Sequence, residues 1–87
     1  MNTIWKTSAA GAELVEINPE NPKDEKVLGA VAIEHGYCFP WAINGHGVTI
    51  QLCCRFSEYL EKSKADVEEY LTQKGILKPM PADEKAQ

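Results

Sequence analysis

At 87 residues and 9.7 kDa the chain is sized for one small domain with a thin core, because so short a chain buries only about 60–65% of its unfolded surface. A hydrophobic fraction of 44% and a charged fraction of 25% are those of a globular protein rather than a disordered one. The formal charge of −4, with Arg55 the sole arginine and no Lys/Arg block, argues against a nucleic-acid binder built on phosphate neutralisation.

The first residues, MNTIWKTSAAG, lack a basic segment followed by an apolar run, so no signal peptide is expected. No stretch reaches the ~18 uninterrupted apolar residues of a membrane span. Three cysteines, an odd number, fit a reducing compartment better than a disulfide scaffold. A cytoplasmic location is expected, in a bacterium or in the host of a mobile element, with no membrane partner.

In chain order, Ile4-Trp5 and Leu14-Val15-Glu16-Ile17 are two apolar clusters separated by Ser8–Ala12. The second predicts a strand over Glu13–Ile17, and the first a short edge strand paired with it through the Ala-Gly turn. Asn18–Lys26, NPENPKDEK, carries two Asn-Pro pairs among charges and reads as a solvated loop.

Three alternating runs follow. Val27, Val31 and Ile33 share one parity; Tyr37, Phe39, Trp41 and Ile43 share another run; then come Val48, Ile50, Leu52 and Cys54. This period of two predicts half-buried antiparallel strands. A three-residue loop over Glu34-His35-Gly36 would place every large apolar side chain on one face, whereas a two-residue His35-Gly36 turn would split them. At the second turn, Asn44-Gly45 or Gly45-His46 as central pair keeps Trp41, Ile43, Val48 and Ile50 together. Pro40 objects to this pattern, since proline lacks the ladder N–H of a middle strand, and a break, bulge or sheet edge is expected there.

Ser63-Lys64-Ala65-Asp66 has the form of a capping box, with Val67, Tyr70 and Leu71 at helical spacing and Gly75 placed to end the helix. Phe56, Tyr59 and Leu60 fit the same stripe. The pattern is met either by one helix from about Ser57 to Lys74 or by a short turn before a helix from Lys64. The rival of a helix over Val48–Lys62 is disfavoured by Val48-Thr49-Ile50 and the glycine turn before it. The expected fold is α+β: an antiparallel three- to four-stranded meander packed against one C-terminal helix, with a single domain over residues 1–76 and a flexible tail over 77–87.

His35, Cys38, His46, Cys53 and Cys54 are the candidates for metal or thiol chemistry. Zinc needs three or four converging ligands, usually from close pairs. Only His35 and Cys38 are suitably spaced, and the adjacent pair Cys53-Cys54 points to opposite faces of a strand. A nucleophile needs an oriented base, and Cys38 with His35 has no accompanying oxyanion loop. No metal, cofactor or catalytic site is expected, and the chain reads as no enzyme. The meander would also bring Cys38 opposite Cys53 if Gly45-His46 is the central pair, though reduced thiols are expected.

The second sheet face, Leu28, Ala30, Ala32, Cys38, Pro40, Ala42, Thr49, Gln51 and Cys53, is free of charge, unlike a face left to water. Its expected cover is the N-terminal segment, a second copy in a homodimer, or a protein partner. The partner-binding candidates are His35, Cys38, Pro40, Trp41, His46, Thr49 and Gln51. The glycine-punctuated meander with G-A-V, G-Y-C-F and N-G-H-G in order, followed by a helix carrying Phe56, Tyr59 and Leu60, resembles small accessory proteins of phages and prophages. That group includes inhibitors of host defence enzymes. The resemblance covers roughly Val27–Leu77, carries no functional residue over, and is broken at Pro40. The lack of a catalytic constellation and the uncharged face make a small non-enzymatic protein-binding module the expected function. The resemblance implies an inhibitor or adaptor acting on a host protein, and the Cys/His set leaves a metal-binding or redox-sensing module as the alternative.

Overall fold

Tight turns reverse the chain at each long strand end. The computed structural model describes residues 2–77. Strand β1 (Asn2–Ser8) turns at Ala9-Ala10 into β2 (Gly11–Asn18), which turns at Pro19-Glu20 into β3 (Asn21–Glu34), which turns at His35-Gly36 into β4 (Tyr37–Ile43). The far edge of β4 is shared by two short strands, β5 (Thr49–Gln51) and β6 (Arg55–Phe56). A 3₁₀ turn over Ser57–Tyr59 then leads into helix α1 (Leu60–Gln73). The α+β meander with one C-terminal helix is the architecture expected, with six strands rather than three to four.

The N-terminal segment does not cover the sheet. It extends it: β1 pairs with β2 in an unbroken register from Asn2↔Ile17 to Ser8↔Gly11. The expected loop at Asn18–Lys26 is in large part the outer arm of the β2–β3 hairpin, with Glu25 opposite Ile17 and Lys26 opposite Glu16. Pro22, Lys23 and Asp24 fall in a register shift, which spares the ladder the missing proline N–H. Asn18 Oδ1 accepts the Glu20 N–H at 3.0 Å and closes the turn.

Both central turns differ from expectation by one residue. The first is a two-residue turn, with His35 at φ 53° and Gly36 at φ 82°, the pair of positive values that a type I′ hairpin requires. The second is a three-residue loop, Gly45-His46-Gly47, with Gly47 at φ 78° and Asn44 N–H bonded to the Val48 carbonyl at 2.9 Å. Asn44 Oδ1 also accepts the N–H groups of His46 and Val48. Each one-residue change flips every side chain of the following strand. Ile33 therefore pairs with Cys38, Val31 with Pro40 and Gly29 with Ala42, while Ile43 pairs with Thr49 and Trp41 with Gln51.

The helix-covered face is thus the small one. Gly29, Val31, Ile33, Cys38, Pro40 and Ala42 lie under α1, and a Cβ on Gly29 would stand 2.6 Å from Val67 Cγ1. A register shift at Leu14/Val15 adds Leu28 to the same side. Leu14, Leu28, Val31, Cys38, Ala42, Val67 and Leu71 form the buried core. Burying each of the larger aliphatic chains contributes about 1.5–3 kcal/mol. Trp5 flanks this core, its Nε1–H donating to Glu68 at 2.7 Å and its ring lying 5.3 Å from Lys64 Nζ.

Pro40 is accommodated without a break in β4. Its carbonyl accepts the Leu52 N–H at 2.8 Å, so its nitrogen faces the same edge, where β5 ends and residues 52–54 leave the ladder. The missing donor falls at a gap in the partner strand.

The helix is the single-helix alternative, begun by the 3₁₀ turn at Ser57. Ser63 is not a cap: it lies inside α1 and is fully buried. Gly75, at φ 74°, ends the helix as expected. Ile76 N–H bonds to the Leu71 carbonyl and Gly75 N–H to that of Thr72, the two bonds of a Schellman motif. Ile76 and Leu77 then pack against the core. Of the tail expected over 77–87, residues 78–87 lie outside the described residues.

Candidate functional site on the open sheet face

The face turned away from α1 carries the large side chains. Along β4 these are Tyr37, Phe39, Trp41 and Ile43, with Thr49 and Gln51 of β5 beside Ile43 and Trp41, and Phe56 of β6 beside Tyr37. Tyr37 stacks on Phe56 at 5.3 Å between ring centroids and tilts against Phe39 at 6.5 Å. Tyr37 is 42% exposed, Phe56 55% and Ile4 of β1 44%. Phe39, Trp41 and Ile43 are half-buried.

Toward β1 the surface changes character. Ala30 and Ala32, opposite Trp41 and Phe39, form the floor of a groove of about 330 Å³ that Lys6, Glu13 and Trp41 also line. Lys6 of β1 reaches across β2 to an ion pair with Glu25 of β3, on the side where Val15 lies. The open face is therefore apolar and aromatic along β4 and β6, while along β1 and β2 the charges of Lys6 and Glu13 are mixed with Ile4, Val15 and Ile17. It is not the uncharged face expected from parity. That set is divided: Cys38, Pro40 and Ala42 are inside, and Ala30, Ala32, Thr49 and Gln51 are on the open side.

The seven residues singled out in the sequence separate accordingly. Trp41, Thr49 and Gln51 share the open face. Cys38 and Pro40 are buried beneath the helix and are withdrawn from the surface. His35 and His46 are exposed in turns at opposite ends of β4. Tyr37, Phe39 and Ile43, which parity groups with Trp41 on the face expected to take the helix, and Phe56, which helical spacing puts on the helix stripe, also lie on the open face and are the residues missed. The signal for them lay in Gly29 and Ala42, which mark where a helix can approach closely.

The thiols have distinct surroundings. Cys38 Sγ is fully buried and donates to the Ser57 carbonyl at 3.7 Å, so no solvent-reachable thiol–imidazole pair forms with His35. Cys38 lies opposite Arg55 rather than Cys53. Cys53 and Cys54 are exposed, and Cys53 Sγ donates to Asp66 Oδ2 at 3.1 Å. That bond to a carboxylate, together with partial burial, pushes the Cys53 thiol up, away from thiolate character. Asp66 also receives Arg55 Nε at 2.8 Å and Nη2 at 3.3 Å, and the guanidinium holds its carboxyl below the usual range. The cluster ties the β6 edge to α1. Among the described residues no three His, Cys, Asp or Glu side chains converge as metal ligands, and no helix is long and apolar enough to cross a membrane.

Comparison with protein-family models, curated proteins and solved structures returned no match to this chain.

Proposed function

We propose that the chain is a non-enzymatic protein-binding module that docks a partner on the Tyr37–Ile43 side of its open sheet face. The role is that of an inhibitor or adaptor, as the resemblance to small phage and prophage accessory proteins implies. One observation carries this reading: the aromatic residues of β4 and β6 are displayed outward, while the residues β3 and β4 turn to the helix are the smaller Gly29, Val31, Ile33, Cys38, Pro40 and Ala42. Soluble monomers rarely present contiguous apolar patches beyond a few hundred Å² without a use for them. Tyr, Trp and Phe are also the residues enriched at interface centres, where a buried ring contributes most to affinity.

The test compares capture of proteins from a native bacterial lysate by the wild-type chain and by three variants. A partner held by wild type and by Lys62→Glu, on the exposed side of the helix, but lost with Phe39→Glu and Trp41→Ala, supports the reading. A partner held equally by all four chains contradicts it.

A further inference from the structure

The two edges of the sheet are treated differently. Exposed edges are normally blunted, because their unpaired N–H and C=O groups recruit other strands. The β5/β6 edge is blunted: its strands have three and two residues, and residues 52–54 interrupt them. The β1 edge is not. It runs for seven residues, NTIWKTS, without proline and without a register shift against β2. Its one charged side chain, Lys6, is drawn inward across the sheet to Glu25 instead of guarding the edge. Among the described residues nothing pairs with its outer side.

The hydrogen-bond phase identifies which groups that edge offers. Ile33 N–H donates to the Ala10 carbonyl at 2.8 Å, so Ala10 faces β3 and, by alternation, Gly11 faces β1. Ser8, opposite Gly11, turns its backbone groups to β2, as do Lys6 and Ile4. The outward set is therefore Thr3, Trp5 and Thr7.

We propose that β1 pairs antiparallel with β1 of a second copy about a two-fold axis at Trp5, joining two sheets into one. The sequence of the edge is self-complementary about that point. Thr3 meets the partner's Thr7 and Trp5 meets the partner's Trp5, all as hydrogen-bonded pairs, because these are the residues whose backbone groups point outward. Threonine pairs and aromatic pairs are favourable cross-strand neighbours. On the open face Ile4, 44% exposed, comes beside the alkyl stem of the partner's Lys6. The joined sheet carries both aromatic patches on one side. The dimer needs no occupant on the open face and stands or falls independently of the proposed function.

Strand pairing buries less than the ~800 Å² per partner of a standard interface, so the dimer is expected to dissociate on dilution, with a dissociation constant of ~10–100 µM. Sedimentation velocity from low micromolar to ~0.5 mM follows the equilibrium for wild type, Thr3→Pro and Thr7→Pro. Proline at these positions removes only outward N–H groups and leaves the β1–β2 ladder intact. The expected result is a concentration-dependent dimer, weakened at least about tenfold in each variant. Amide exchange of the wild-type chain is the second readout: Thr3, Trp5 and Thr7 should exchange about four- to tenfold more slowly at ~0.5 mM than at low micromolar concentration, while Ile4 and Lys6 do not change. It decides alone if a proline variant fails to fold. A monomer at every concentration, exchange of those three amides that does not slow with concentration, or a dimer lost with Phe39→Glu and kept with Thr7→Pro would overturn the proposal.

Discussion

Val67 packs directly onto the backbone of Gly29: a Cβ at position 29 would stand 2.6 Å from Val67 Cγ1 and 2.8 Å from the Trp41 carbonyl oxygen. The glycine lets the helix sit close to the centre of the sheet, and Ala42 across from it keeps that contact shallow. Gly29→Ala should therefore destabilise the fold by about 1–3 kcal/mol, the cost of overpacking a filled core. Val67→Ala in the same chain should recover part of that loss, measured by urea denaturation of the single and double variants.

Ser63 carries the opposite expectation. Its side chain is fully buried inside α1, and its Oγ has no hydrogen-bond partner. Ser63→Ala removes a desolvated hydroxyl and adds helix propensity, so the variant should be more stable by about 1 kcal/mol. A thermal melt checks it, with a rise of several degrees expected for a domain of this size.

The Cys53–Asp66–Arg55 cluster predicts both thiol reactivity and acid sensitivity. Exposed Cys54 should react with a neutral disulfide reagent faster than Cys53, whose proton is held by Asp66, and Cys38 should react only on unfolding. Asp66→Asn should speed the reaction of Cys53. A carboxyl held below its ordinary value contributes stability that is full above the unfolded value and is lost as pH falls through the folded one. Melting temperature of the wild-type chain should therefore fall below about pH 4, and less steeply in Asp66→Asn. The Asp66 side chain is 24% exposed, so screening keeps the difference to a few degrees at neutral pH.

The strands, the hairpin of the N-terminal clusters and the glycine stop of the helix were legible in the sequence, because alternation and Gly75 are local signals. Register was not. His35 adopts the left-handed conformation that glycine or asparagine more often fills, and only that choice makes His35-Gly36 a two-residue turn. Gathering all bulky residues on one inner face was the more consistent pattern, yet it ignored what fits beneath a helix seated on Gly29. The charged run Glu25-Lys26 read as a loop because its alternation lies between exposed charges rather than apolar residues. The candidate site inherited the register error. Parity put Trp41 with Tyr37 and Phe39 and set Thr49 and Gln51 on the opposite face, and the observed register brings all of them together on the open face.

Tyr37 and Cys38 are neighbours on β4 with opposite fates, 42% and 0% exposed. Circular-dichroism melting of Tyr37→Glu and Cys38→Glu therefore tests the orientation of the sheet, on which the open aromatic face depends. Tyr37→Glu should fold and melt within a few degrees of wild type, while Cys38→Glu, which places a charge in the core, should fail to fold. A folded Cys38→Glu beside an unfolded Tyr37→Glu would mean that the aromatic residues lie under the helix, and would contradict the account.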